Sequence, residues 1–288
     1  MNIANHIPEI VSLAILIATY LMVVSERINR TIAAVLGGVM MIVIGLGMGF
    51  FDQAEALQAI DLKTIGLLFG MMILVGIMGE SGIFEYLAYK TAQNSKGSYY
   101  RLLALFMLIT ALCSAFLDNV TTILLMIPIT FTIADKLNID PKPFLFAEVM
   151  ASNIGGTATL IGDPPNIMIG SAANITFLQF MIYLGPMVVI VLFTIMLYFE
   201  LIYKDKLERD MKNFEKIKDV DARSMIKDPV LAKKSIFVFG LVIILFLLHH
   251  TLHLEPWTVA ITGATLLMAL TFSDPEEAVS HVEWPTLL

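Results

Sequence analysis

Ala151-Ser-Asn-Ile-Gly-Gly-Thr-Ala-Thr-Leu-Ile-Gly-Asp-Pro-Pro-Asn-Ile167 lies between two apolar runs of a 288-residue chain. Gly155, Gly156, Gly162, Pro164 and Pro165 unwind a helix. The polar side chains of Ser152, Asn153, Thr157, Thr159, Asp163 and Asn166 crowd the same place. Backbone that is not helical at membrane depth is tolerated only where it is buried in protein or lines a wet cavity. The stretch therefore predicts a broken helix over about 144–171, the device with which secondary transporters build substrate and ion sites. Proline alone would explain an ordinary kink. The coincidence of Gly-Gly, hydroxyl and amide side chains and an acid points instead to a site.

The remainder of the chain suits a bilayer. It is 58% hydrophobic and 15% charged, with mean hydropathy +0.82, whereas a soluble domain is about 25% charged. Apolar runs at Ile10–Ser25, Thr31–Phe50, Leu62–Gly79, Phe177–Tyr203, Lys234–Leu248 and Trp257–Phe272 approach the ~20 residues that cross a membrane. The first run lacks a basic flank and a cleavage pattern, so it reads as a retained span. The net charge of −7 is segregated into loops, and no basic tract with interleaved aromatics suggests nucleic acid. The single cysteine, Cys113, allows neither a disulfide framework nor a thiolate cluster, and sits in an apolar run where packing is its simplest role. No Walker A, His-Glu-x-x-His or Gly-x-Ser-x-Gly sequence is present. The chain thus reads as a transporter and not an enzyme, with no cofactor beyond a coupling ion, Na⁺ or H⁺. Its energy would come from an ion gradient unless a separate ATPase subunit binds it.

The apolar region Leu102–Ala134 carries Asp118-Asn119 at its middle. The run Val120–Ala134 would reach only about 22 Å at ~1.5 Å per residue, short of a ~30 Å core. With basic residues on both flanks, this predicts a re-entrant hairpin over about 101–135 with Asp118-Asn119 at its tip; two tilted full spans are the alternative. Lysine and arginine favour the cytoplasmic side. The basic loops Glu26–Arg30, Lys90–Arg101 and Lys204–Lys234 share one side if the N-terminus is outside and the hairpin enters from the cytoplasm. The expected setting is the cell (plasma or inner) membrane. Lys204–Lys234 holds ten basic and seven acidic residues, and reads as a solvated cytoplasmic linker.

An internal repeat is visible. Asp52, Glu55, Ala56 and Thr64 recur as Asp274, Glu277, Ala278 and Thr286 at a constant offset of 222 residues. Upstream, Thr31-Ile-Ala-Ala matches Thr258-Val-Ala-Ile with a five-residue gap. The loop charges put the two copies in opposite orientations, which is the inverted-repeat plan. The expected organisation is a first repeat over 1–203, a linker over 204–234 and the start of a second repeat over 235–288. The second copy stops where the first enters Leu62–Gly79, so the chain reads as a first half plus the opening of a second. The fold class is an all-α polytopic membrane protein, an inverted-repeat secondary transporter with re-entrant hairpin and broken helix.

Two constellations carry the chemistry. In Ser114-Ala-Phe-Leu-Asp-Asn-Val-Thr-Thr122, an intramembrane Asp118 is costly unless paired and so suggests function. Asp and Asn are also preferred helix N-caps, and capping does not exclude ion binding. In the break, Gly155 and Gly156 would aim backbone groups at a ligand and Asp163 adds a carboxylate beside the Pro164 helix start. The candidate ion-binding set is Asp118, Asn119, Thr121, Thr122, Asn153, Gly155, Gly156, Thr157, Thr159, Gly162, Asp163, Pro164 and Asn166, with Na⁺ at Asp118, Asn119 and Asp163 and no other metal. Glu148 either faces the same cavity or pairs with Lys142. His249, His250 and His253 read as a wet loop before a metal site, and Glu80 and Glu85 as interfacial.

Thr157-Ala-Thr-Leu-Ile-Gly-Asp-Pro-Pro-Asn-Ile-Met-Ile169 and Phe116-Leu-Asp-Asn-Val-Thr-Thr-Ile-Leu-Leu-Met-Ile-Pro128 resemble the ion transporter superfamily. The look is that of its arsenite-permease and NhaD-type antiporter branch, which includes the melanosomal P protein. The resemblance implies an inverted-repeat fold with two re-entrant hairpins, a homodimer in the lipid bilayer and elevator-like movement. It implies a small ion as cargo: arsenite or antimonite efflux, or Na⁺/H⁺ exchange. The sodium–dicarboxylate branch has Ser-Asn-Thr at the hairpin tip and Gly-Thr-Pro-Pro-Asn at the break. Here Asp118, Val120 and Asp163 depart from it. A like-charge contact at ~4 Å and effective dielectric ~20 costs ~4 kcal/mol, so added carboxylates disfavour a citrate-type anion, which stays as the alternative cargo.

Overall fold

A computed structural model describes residues 6–173, 175–203 and 213–287. The described chain is helical, with no strand. It divides into two compact units, 1–62 with 283–288, and 63–282.

In the first unit, α1 (Ile7–Val24) and α2 (Arg30–Met48) pack as a pair. Asn29 caps α2 through the Thr31 amide, and Gly49 ends it at φ +70°, a left-handed value that suits glycine. The pair meets along small residues: Ala33 is buried, and Gly37 sits against the Thr19 side chain. Most other positions are apolar and exposed, among them Tyr20, Leu21 and Val24. An apolar face of this kind suits lipid. The short helix α3 (Gln53–Gln58) begins at Asp52 with a reciprocal Asp52–Glu55 capping box.

The second unit holds the core. It runs α4 (Leu62–Glu80), α5 (Ile83–Asn94), α6 (Tyr99–Ser114), α7 (Asn119–Leu137), α8 (Lys142–Gly156), α9 (Pro164–Ala173) and α10 (Phe177–Ile202). Then come α11 (Glu215–Lys218), α12 (Pro229–Leu248), α13 (Pro256–Thr271) and α14 (Pro275–Ser280), with α15 (Trp284–Leu287) ending the described chain in the first unit. α4 is buried along most of its length, and its Gly70 lies against the α13 backbone at Ala260 and Ile261. α6 and α8 run side by side in the same direction. Phe106 meets Phe144 with ring centroids 6.0 Å apart, and one turn pair further on Ser114 meets Ser152.

Six described helical stretches are long and apolar enough to cross a membrane: α1, α2, α3 with α4, α7, α10 and α12. The protein is a multi-pass membrane protein. Every span expected from the sequence becomes a helix within a few residues, although α12 starts earlier, at Pro229. Trp257–Phe272 forms a helix of 16 residues, the length of its run and shorter than these six stretches. One expectation changes: α7 has 19 residues, because Asp118 caps it early and Asn138 ends it late at φ +54°. At ~1.5 Å per residue it reaches about 28 Å, so the argument from short reach for a re-entrant hairpin does not hold.

The two repeat segments have the same local structure. Asp52 and Asp274 each cap a six-residue helix, α3 and α14, which is followed by the start of another. The polar segment read as solvated is partly buried. Residues 204–212 lie outside the described residues. From 213 on, the chain packs on α5 and α7, with Ile217 and Ala222 buried. Gln93 donates to the carbonyls of Ile217 and Val220 at 3.1 and 2.6 Å, and Lys227 pairs with Glu85 at 2.9 Å. Gln93→Ala removes both donors, at ~1–2 kcal/mol. Limited proteolysis of the purified protein should then cut 213–228 several-fold faster; an unchanged rate would show that the segment is held elsewhere.

Candidate functional site

The site forms where the α6–α7 turn meets the break between α8 and α9. The break spans 157–163, inside the expected stretch. One detail is corrected: Gly155 and Gly156 do not unwind the helix but form its last turn. Their missing side chains serve proximity. A Cβ on Gly155 would overlap the Ala111 carbonyl of α6, and one on Gly162 would overlap the Gly156 and Ser114 carbonyl oxygens. Glycine is required so that three backbones can touch.

Such contact leaves backbone groups enclosed, and they must be satisfied. The polar residues do this. Ser114 Oγ donates to the Ser152 carbonyl at 2.7 Å, and Ser152 Oγ to the Asn119 carbonyl at 3.0 Å. Asn119 Nδ2 donates to Asn153 Oδ1 at 3.1 Å. Thr159 Oγ1 donates to the Ala115 carbonyl and accepts from the Ile161 and Gly162 amides, both at 3.3 Å. Asn166 Nδ2 bridges the break by donating to the Gly156 and Thr159 carbonyls, each at 3.0 Å. Asn166→Ala would strand two carbonyls at ~1–3 kcal/mol each. We expect this variant to lose several degrees of thermal stability in detergent. Full stability would show that the break does not depend on the bridge.

The capping expectation for Asp118 is met. It is 6% exposed, and its carboxylate accepts from Thr121 N at 2.9 Å and Thr121 Oγ1 at 2.5 Å, starting α7. Each carboxylate oxygen can accept more than one bond, so Asp118 keeps capacity for a ligand. Asp163 precedes Pro164 at the start of α9 and is half-buried; its carboxyl group takes no hydrogen bond among the described residues. The two carboxyl groups are close enough to repel each other when both are ionised. No described ion pair reaches either of them. A low-dielectric site with two acids and no base favours a cation or a proton.

The structure thus brings Asp118, Asn119, Thr121, Asn153, Gly155, Gly156, Thr159, Gly162, Asp163, Pro164 and Asn166 into one region. The side chains of two expected members bond to none of these residues. Thr157 bonds back to the Ile154 carbonyl and lines an apolar cavity of about 370 Å³ against α10. Thr122 is buried with its hydroxyl unpartnered. The serines that join the two halves, Ser114 and Ser152, were missing from the expected set. Both stand inside the two motifs, and burial of small hydroxyls on apolar helices was the available signal. Glu148 does not pair with Lys142; it accepts from Thr130 Oγ1 at 2.7 Å.

A second cavity, about 450 Å³, touches the break at Leu160 and α9 at Ile167, and reaches His249, His250, His253 and the Lys63–Glu255 pair. The described residues contain no group of three or more His, Cys, Asp or Glu side chains placed to hold a metal. Elsewhere His281 pairs with Glu80 at 2.6 Å.

Comparison with known proteins agrees with this architecture. The chain is 39% identical to an uncharacterized transporter of Mycobacterium bovis over 97% of its own length, and 38% identical to a 46 kDa membrane protein of Mycobacterium leprae over 97%. It spans 65% of the length of each of those relatives. It is also 30% identical to the human P protein, over 96% of this chain and 42% of that protein. A citrate transporter (CitMHS) profile matches residues 20–288. With nearly the whole chain covered and the broken helix at its centre, the protein belongs to the citrate transporter family of membrane proteins.

Proposed function

We propose that the protein is a secondary active transporter in which Asp118 and Asp163 bind a coupling cation, Na⁺ or H⁺. One observation carries this: two carboxylates converge at a helix break with no basic partner among the described residues. Bringing a cation to this place relieves the repulsion and the desolvation of two acids at once. Asn119, Asn153 and the backbone groups of the break stand beside it as further oxygen ligands. The narrower reading is an arsenite-permease or NhaD-type cycle, with a neutral metalloid hydroxide or Na⁺ as cargo, because neither asks for positive charge at the centre.

A second reading is favoured by the family description, citrate transporter. An organic anion would then travel with the cation and contact it, since the carboxylates alone would repel the anion. On either reading the working unit is a homodimer in the cell membrane, and one half moves against the other. The test is flux in inverted vesicles carrying the full-length protein. A pH-sensitive dye reports protons on addition of Na⁺, and uptake of arsenite and of citrate is followed in parallel. A gradient-coupled signal for one cargo supports the reading. Flux of none of them under any gradient would overturn it.

A further inference from the structure

The site above leaves unused one of the most deeply buried acids of the protein. Glu148 on α8 is 0% exposed. Its Oε1 accepts from Thr130 of α7, while Oε2 is enclosed with no hydrogen-bond partner. On α6, Thr110 is also 0% exposed, and its hydroxyl is likewise enclosed and unpartnered.

The register of α6 and α8 sets these two orphans level. Phe106 faces Phe144, and Ser114 faces Ser152. Both pairs differ by 38 positions. Thr110 lies four residues from Phe106 and from Ser114, and Glu148 lies four residues from Phe144 and from Ser152. Residues four apart share a helix face, so the middle rung sets Thr110 opposite Glu148. Thr110 of α6 thus stands level with Glu148 of α8, whose other carboxyl oxygen already accepts from Thr130 of α7.

An ionised carboxylate there would cost several kcal/mol without a counter-charge. None faces it. On α6 the titratable groups are Tyr99, Tyr100 and Arg101 at the far start, and Cys113 near the end. α7 has only its Asp118 cap and Asp135-Lys136 at the other end, with the Lys136 ammonium over the Tyr89 ring. α8 has only Lys142, at its start. On α10, Tyr183 and Tyr198 are exposed, and Glu200 is near the end of the helix. A proton removes that cost and gives both orphans a bond to make. The carboxyl gains an O–H to donate towards Thr110, and its other oxygen still accepts from Thr130. Three oxygens are too few to replace the shell of a metal cation.

We propose that Glu148 is a proton-carrying group of the transport cycle, distinct from Asp118 and Asp163, with Thr130 and Thr110 as its hydrogen-bond partners. The proton is taken from water and returned to water, so the step needs no other reactant. This rests on the reading of the protein as a cation-coupled transporter.

The test is labelling of the full-length protein in membranes with dicyclohexylcarbodiimide, which reacts with protonated carboxyl groups in apolar surroundings. Mass spectrometry of the Glu148 peptide reads the result on the unaltered protein, so it does not depend on how Glu148→Gln folds. The expected result is a label on Glu148 in acidic buffer that fades about tenfold per pH unit above its midpoint and is absent in Glu148→Gln. No label in acid, or equal label in acid and alkali, would overturn the proposal. Proton-coupled flux with Glu148 unlabelled would sink this inference alone. A pH-dependent label without proton-coupled flux of any cargo would sink the transport reading and leave Glu148 as a titrating buried group.

Discussion

Asp163→Asn should abolish ion-coupled transport while the protein still inserts and folds. The carboxyl group of Asp163 takes no hydrogen bond among the described residues, so no part of the helix break depends on it. What the substitution removes is charge at a place where Asp118 already stands nearby. One charged contact is worth ~1.5–3 kcal/mol, or about 10- to 150-fold in cation affinity. The measurement is Na⁺- or proton-evoked flux in vesicles, normalised to the amount of inserted protein. Transport at the parental rate would remove Asp163 from the ion site. Asp118 provides the contrast. Asp118→Asn keeps a good N-cap and should lose transport alone, whereas Asp118→Ala should also loosen the start of α7, because both of its bonds to Thr121 disappear.

Gly155→Ala should destabilise the protein although alanine is the better helix former by ~1 kcal/mol. Gly155 is helical, so the backbone conformation is not the obstacle. The obstacle is the Ala111 backbone, which occupies the space a Cβ would need. Backbone cannot rotate aside as a side chain can, and overpacking costs ~1–3 kcal/mol or more. The net expectation is a loss of about 2 kcal/mol, and a larger one for Gly155→Leu. Gly240 on α12 is the control: nothing lies within 4 Å of a Cβ placed there, so Gly240→Ala should be neutral or stabilising. Thermal unfolding in detergent separates the two. Equal stability of Gly155→Ala and parent would mean that α6 and α8 are not in tight contact. Since the α6–α8 contact also aligns Ser114 with Ser152, transport should fall with stability.

The helix break was legible because it rests on local chemistry. Gly162-Asp163-Pro164-Pro165 cannot continue a helix, and its effect is read from adjacent residues. The Asp118 cap was visible for the same reason: an N-cap is satisfied within three residues of itself. The end of α7 was less so. Asn138 adopts a left-handed conformation that its sequence permits but does not demand, and the three extra residues before it, with one more at the Asp118 cap, undid an argument about reach. The docking of residues 213–228 could not be read at all. Gln93 and Val220 are 127 positions apart, and a mixed-charge segment looks solvated until a partner for its carbonyls is known.

The same division runs through the site. Sequence alone determined an all-helical membrane chain, the place of the break and the two acids at its edges, because hydrophobic length, Gly–Pro chemistry and intramembrane charge are properties of short windows. Only the tertiary structure decided what the other polar residues do. Thr159 and Asn166 turned from candidate ligands into partners for enclosed backbone groups, since the close approach of α6, α8 and the break creates carbonyls that must be satisfied. It also drew Thr130 from α7 to Glu148 and set Thr110 level with it across α6 and α8. The physical reason is that a hydrogen bond between helices depends on their register, which is set by the packing of Phe106 on Phe144 and Gly155 on Ala111 and not by any one stretch of sequence.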